Sequence, residues 1–170
     1  MTDDATSDHR HIQPTTVSEL LALIDQKRGP LEQIASNLPE DQRPVPTNGW
    51  SAAEHLAHVA LWERRLIGEM EGEHDAACFG LDPATFRTAS EDELNAMLAP
   101  RLQHQTAAKI RTEFLAAGKA LRATVAKLAD TDLYQSVRPD DPRFATLMDL
   151  IECDSFGHYP EHIAAIAQHE

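Results

Sequence analysis

Apolar residues return every three or four positions along most of this chain, the period of a helix with one buried face. Val17, Leu20, Leu21, Ile24, Leu31, Ile34 and Leu38 make the first such stretch. It opens at Thr16, where TVSE sets Glu19 three residues after a capping threonine, the pattern of a capping box. Gly29-Pro30 falls inside the stretch and predicts a kink, because proline lacks the N–H that bonds back along a helix. PEDQRPVPTNG, residues 39–49, then ends it.

A second helix is predicted from Ser51, where SAAE is another capping box, to about Gly72. Leu56, Val59, Leu66, Ile67 and Met70 define its apolar face. The connection that follows, EHDAACFGLDPATFRTA, is irregular, and SEDE at Ser90 caps a further helical stretch that meets Pro100. Ile110, Phe114, Ala117, Leu121, Val125 and Leu128 mark the third long helix. After the proline-punctuated YQSVRPDDPRF, the last helix starts near Thr146, with Asp149 in the acidic third position, and runs toward the C-terminus. No strand alternation of any length occurs. The pattern predicts an all-α, four-helix bundle with an extra short helix or irregular segment between its second and third helices.

Composition narrows this picture. The 170 residues suit one domain, 15–170, behind a polar and acidic tail, 1–14, that reads as disordered. His9 and His11 in that tail read as solvated. No stretch approaches a membrane span, no apolar signal segment opens the chain, and Cys78 and Cys153 lack CxxC spacing. A reducing, cytoplasmic setting is the expectation. A formal charge of −13 argues against nucleic acid, whose phosphates are bound by exchanging counterions for Lys and Arg, and against an anionic membrane. A small molecule or another protein is the better partner, and a homodimer through an outer helix face is compatible with such a bundle.

HYPEH, residues 158–162, is the stretch that suggests chemistry. Its spacing alone carries little, since nine histidines in 170 residues produce an i,i+4 pair by chance about half the time. Its position says more. On a continuous helix, Leu147, Ile151, Asp154, His158, His162 and Ala165 share one stripe, so both imidazoles continue the buried face. A buried imidazole needs a hydrogen-bond partner or a metal. Pro160 complicates the geometry: either the helix kinks there or it restarts with Pro160 in its first turn. Tyr159 and Glu161 leave the stripe, and Glu161 is poorly placed as a general base.

The second helix offers His55 and His58 as a third ligand. With Ser51 as N-cap, Trp50 and His55 occupy the two positions of a hydrophobic staple, which gives His55 a structural task and favours His58 as ligand. The wheel places His58 on the flank of the apolar face, which suits either a ligand lining a cleft or an exposed histidine. Glu63 falls nearer the middle, as a buried acid pairing with an arginine, as support for a ligand, or through a misjudged register. Asp154, one turn before the pair, is a candidate acceptor to orient His158, or a polar contact within the helix.

GWSAAEHLAHVALWE and DSFGHYPEHIAAI, about 100 residues apart in a four-helix chain, resemble the DinB/YfiT-like family of metalloenzymes. The layout is most similar to its ClbS/DfsB group, with a GWS…LAH…WE opening and a late H-Y-x-x-H. The resemblance implies a divalent metal held by His58, the LAH histidine, together with His158 and His162. Three imidazoles with open positions make a catalytic type of site, and zinc, nickel or another first-row ion would accept them. The resemblance implies activation of water or of a low-molecular-weight thiol, for hydrolysis or thiol transfer on a small electrophile, in detoxification or resistance. A non-catalytic small-molecule-binding bundle, with or without metal, and a structural bundle whose histidines are core residues stay open beside the enzyme. The 72–89 connection is a candidate cover for a cleft.

Overall fold

The computed structural model describes residues 13–39, 50–73, 79–102, 105–137 and 145–168. His9, His11, Cys78 and most of the proline-rich connections lie outside these residues, as does nearly all of the predicted tail. The described chain is helical: α1 Val17–Asn37, α2 Ala52–Met70, α3 Pro83–Thr88, α4 Glu91–Leu102, α5 Ala107–Val125, α6 Leu147–Asp154 and α7 Tyr159–Ala167. A short 3₁₀ turn, Asp130–Asp132, follows α5. The predicted bundle is present: α1, α2, α5 and the α6–α7 pair enclose the main core, and α3–α4 form the excursion between its second and third helices.

The capping signals act as their chemistry dictates. Thr16 and Glu19, Ser51 and Glu54, and Thr146 and Asp149 each form reciprocal capping boxes. The α2 helix stops in a Schellman arrangement: Glu73 N–H donates to the Gly68 carbonyl at 2.7 Å and Gly72 N–H to Glu69 at 3.1 Å. Gly72 takes φ +84°, a conformation that a side chain disfavours. Helix α1 continues through Gly29-Pro30, and the residue before that pair sets its register in the core.

That residue is Arg28. Leu20, Ile24, Arg28, Leu31 and Ala35 form one buried stripe, so a guanidinium occupies a core position. It is fully paired. Arg28 Nε donates to Glu63 Oε1 at 2.8 Å, and its terminal nitrogens reach Glu63 Oε2, Glu32 and the Phe114 carbonyl. Its cationic carbon also lies 3.8 Å from the centre of the Phe114 ring. Gly118 on α5 makes room for this group, because a Cβ there would stand 2.2 Å from Arg28 Cζ.

The α2 helix is buried nearly all round, with Ala53 through Ala60 all inaccessible and Trp62, Glu63, Arg65, Leu66 and Gly68 beyond them. The reason is its central place: α1, α4, α5, α6 and α7 all pack on it. On one side Trp62 joins Phe79, Leu94 and Leu98 in a second apolar cluster, with Phe86 stacked on Phe79. The excursion that begins in the 72–89 connection therefore packs on the Trp62 face of α2.

The last helix does not run unbroken from Thr146, and of the two readings of Pro160 the restart holds: α6 ends at Asp154 and α7 begins at Tyr159 with Pro160 in its first turn. Ser155, at φ −137° and ψ −106°, leaves the helical region, and Gly157 N–H turns back to the Glu152 carbonyl at 2.9 Å. Gly157 is required by close approach, since a Cβ on it would lie 2.7 Å from that carbonyl oxygen. Pro160 occupies the second position of α7, where an N–H has no acceptor within the helix, so it breaks no hydrogen bond.

Candidate metal centre

The break falls before the histidine pair, not within it. His158 caps α7 with helical backbone angles, φ −81° and ψ −36°, so it keeps i,i+4 register with His162. Both rings face α2, where His58 is 1% exposed. The flank position read from the helical wheel is thus neither surface nor cleft edge; it is a second buried face of a central helix.

The structure brings His58, His158 and His162 together, with one ligating nitrogen of each within 4.8 Å of the others. His58 Nε2 stands 3.3 Å from His158 Nε2, and His158 Nε2 stands 2.7 Å from His162 Nε2. Nitrogens bound to one ion at about 2.0–2.1 Å stand about 2.9–3.4 Å apart, so both separations lie close to those of ligands sharing one centre. Each of these rings turns Nε2 toward the cluster, and among the described residues His58 Nδ1 and His158 Nδ1 are buried without hydrogen-bond partners.

Charge on these rings is disfavoured. Burial first, and then the neighbouring imidazoles, push His58 down to about 2. Burial and the adjacent His158 and His55 push His162 down to about 3, and burial with His55 brings His158 to about 4. The rings are therefore neutral and carry lone pairs at neutral pH, the state a metal ligand requires. Without an ion the 2.7 Å His158–His162 contact is itself a hydrogen bond, and a cation would take the place of that shared proton. The donor set fits a divalent metal, and His58, His158 and His162 are the residues that would hold it. A bound ion of this kind supplies Lewis acidity, lowering the pKa of a water or thiol and polarising a carbonyl.

Indole rings flank the cluster. Trp50 lies 4.9 Å from His58 and 5.5 Å from His55, while Trp62 lies 5.8 Å from His58 and 6.1 Å from His158. The Trp50–His55 contact is the one the staple predicts. His55 does more, as its Nδ1 stands 2.8 Å from His162 Nδ1.

Both acids read as candidates pair with an arginine, which for Glu63 is one of the roles read in the sequence. Asp154 does not serve as the support of His158; its carboxylate pairs with Arg65 at 2.5 Å, both groups almost wholly buried. Arg65 also reaches Glu69 and lies 5.1 Å from the Trp62 ring centre. Glu63 is the arginine-paired acid, on Arg28, and it additionally accepts from the Tyr159 hydroxyl at 2.7 Å. Tyr159, set aside on the wheel, is fully buried. Burial and the Glu63 carboxylate push its phenol well above the usual range, so it stays a donor. Glu161 is exposed, in keeping with a poor general base. Arg28 and Tyr159 were missed because a helix restart shifts the wheel and a cation in an apolar stripe carries no local mark. The clue available was Glu63 itself, an acid at a core position that demanded a partner.

Fold and site together define a helical bundle with a buried cluster of three histidines capable of holding a metal. Residues 11–170 match the family model of the DinB superfamily, and the chain belongs to that superfamily. Two solved structures share the fold. One is an uncharacterised protein from Escherichia coli UTI89, 15% identical, with a TM-score of 0.65, covering 91% of this chain and 92% of that one. The other is a protein from Streptococcus pneumoniae, 18% identical, also at 0.65, covering 95% and 96%. Among curated proteins, no match is found. No described helix is long and apolar enough to cross a membrane.

Proposed function

We propose that this chain is a divalent-metal-dependent enzyme that activates water or a thiol against a small electrophilic substrate, by hydrolysis or thiol transfer. The observation that carries the reading is the convergence of His58, His158 and His162 from two helices at nitrogen separations of 2.7 and 3.3 Å. Three imidazoles leave coordination positions for a reacting group, which a closed structural site does not. Zinc, nickel or another first-row divalent ion accepts three imidazole nitrogens, with zinc and nickel the first candidates, and a low-molecular-weight thiol is the candidate co-substrate. The GWS…LAH…WE and HYPEH motifs favour a ClbS/DfsB-type role in detoxification. The reading is of one domain, residues 15–170, acting in the cytoplasm on a small molecule without nucleic acid or membrane, as a monomer or homodimer.

Elemental mass spectrometry on protein purified without tag or chelator tests it. About one equivalent of metal is expected, lost in His58→Ala, His158→Ala and His162→Ala and kept in Cys153→Ser. Protein that contains no metal, and takes up neither zinc nor nickel, sinks the reading. Metal-loaded protein that protects against an electrophile only stoichiometrically makes it a binding bundle.

A further inference from the structure

We infer that His55 is a positioning residue for the metal centre, holding His162 in the tautomer that presents Nε2 to the ion. This rests on the metal-dependent reading above. The two Nδ1 atoms stand 2.8 Å apart and both rings are more than nine-tenths buried. At that distance one nitrogen carries a proton and the other accepts it. His162 Nε2 faces His158 at 2.7 Å, inside the cluster, so ligation requires the His162 proton to sit on Nδ1. His55 Nδ1 is then the acceptor.

Ligating histidines ordinarily donate their second N–H to a carboxylate, carbonyl or water, which fixes the ring and raises its basicity. Of the three rings here, His162 has such a partner, whereas His58 Nδ1 and His158 Nδ1 have none among the described residues. An imidazole replaces the usual oxygen acceptor. Its place follows from the helix: His55 and His58 lie three residues apart on α2, so one turn supplies a ligand and the support of another ligand. Trp50 packs on both rings and limits their rotation.

Two measurements decide it. Long-range ¹H–¹⁵N correlation of the imidazoles in metal-free wild-type protein should show His162 protonated at Nδ1; protonation at Nε2 overturns the assignment. Zinc titration then compares His55→Asn, whose amide stands where Nδ1 does, with His55→Gln, whose amide reaches toward Nε2. The expected result is near wild-type affinity for the first and a loss of about 10–100-fold for the second. Equal affinities in wild type and His55→Gln, with both folded by circular dichroism, also overturn it. Wild-type protein that binds neither zinc nor nickel refutes the metal reading instead, and the tautomer measurement still reports on the hydrogen bond.

Discussion

The Tyr159 hydroxyl donates to Glu63 Oε1 at 2.7 Å, tying the first residue of α7 to the middle of α2. Arg28 donates to both oxygens of the same carboxylate, so one buried acid joins α1, α2 and α7. His158 precedes Tyr159 and His58 lies on α2, so this contact sets how the two halves of the histidine cluster face each other. Tyr159→Phe removes one hydrogen bond to a charged group and should cost about 1.5–3 kcal/mol. Glu63→Ala strands the Arg28 cation in the core and should cost more, about 3–5 kcal/mol. Urea denaturation of both variants checks the order, and the reverse ranking would mean that Arg28 finds another partner.

Asp154 gives a second separation of roles. Its carboxylate pairs with Arg65, so Asp154→Ala should destabilise the fold by about 1–3 kcal/mol, less than the loss of a sole partner because Glu69 still holds the guanidinium. The folded fraction should still bind one equivalent of metal. Folded protein with full stability but lost metal would show instead that Asp154 supports a ligand directly.

The turn before α7 predicts contrasting effects of adjacent small changes. Gly157→Ala forces a Cβ against the Glu152 carbonyl, and the turn that delivers His158 must shift. Zinc affinity should fall together with melting temperature. Pro160→Ala removes no hydrogen bond and should cost no more than about 1 kcal/mol, from added freedom of the unfolded chain. Calorimetry and zinc titration of the pair check this, with a severe Pro160→Ala effect as the contrary result.

The lowered histidine pKa values set a direction for pH dependence. In the unfolded chain each imidazole titrates near about 6.5, whereas in the fold His58, His162 and His158 hold out to about 2, 3 and 4. Between those limits the unfolded state binds more protons, so stability rises with pH. The contribution is fully present above about 6.5 and is lost progressively as pH falls toward the folded values. Metal-free protein should therefore lose stability on acidification from pH 7.5 to 5, on the order of these shifts, and the triple His→Ala variant should lose less. A flat profile for the metal-free protein would contradict the burial of neutral rings.

Helices, caps and the bundle were legible along the chain because each rests on contacts within three or four residues. Thr16 with Glu19, Ser51 with Glu54 and Thr146 with Asp149 need only their own first turn. The histidine pair was legible in the same way, since His158 and His162 stay in helical register after the restart. Its counterpart on α2 was not settled by spacing, because a wheel ranks positions against one apolar face. The α2 helix has several, each set by a different neighbour, so His58 on a flank is as buried as Leu56 in the centre. The partners of Glu63, Asp154 and His55 were likewise decided in three dimensions. Arg28 lies 35 residues from Glu63, and His162 lies 107 from His55. Local sequence fixes which turns form and which groups need partners; only packing decides which distant group meets that need.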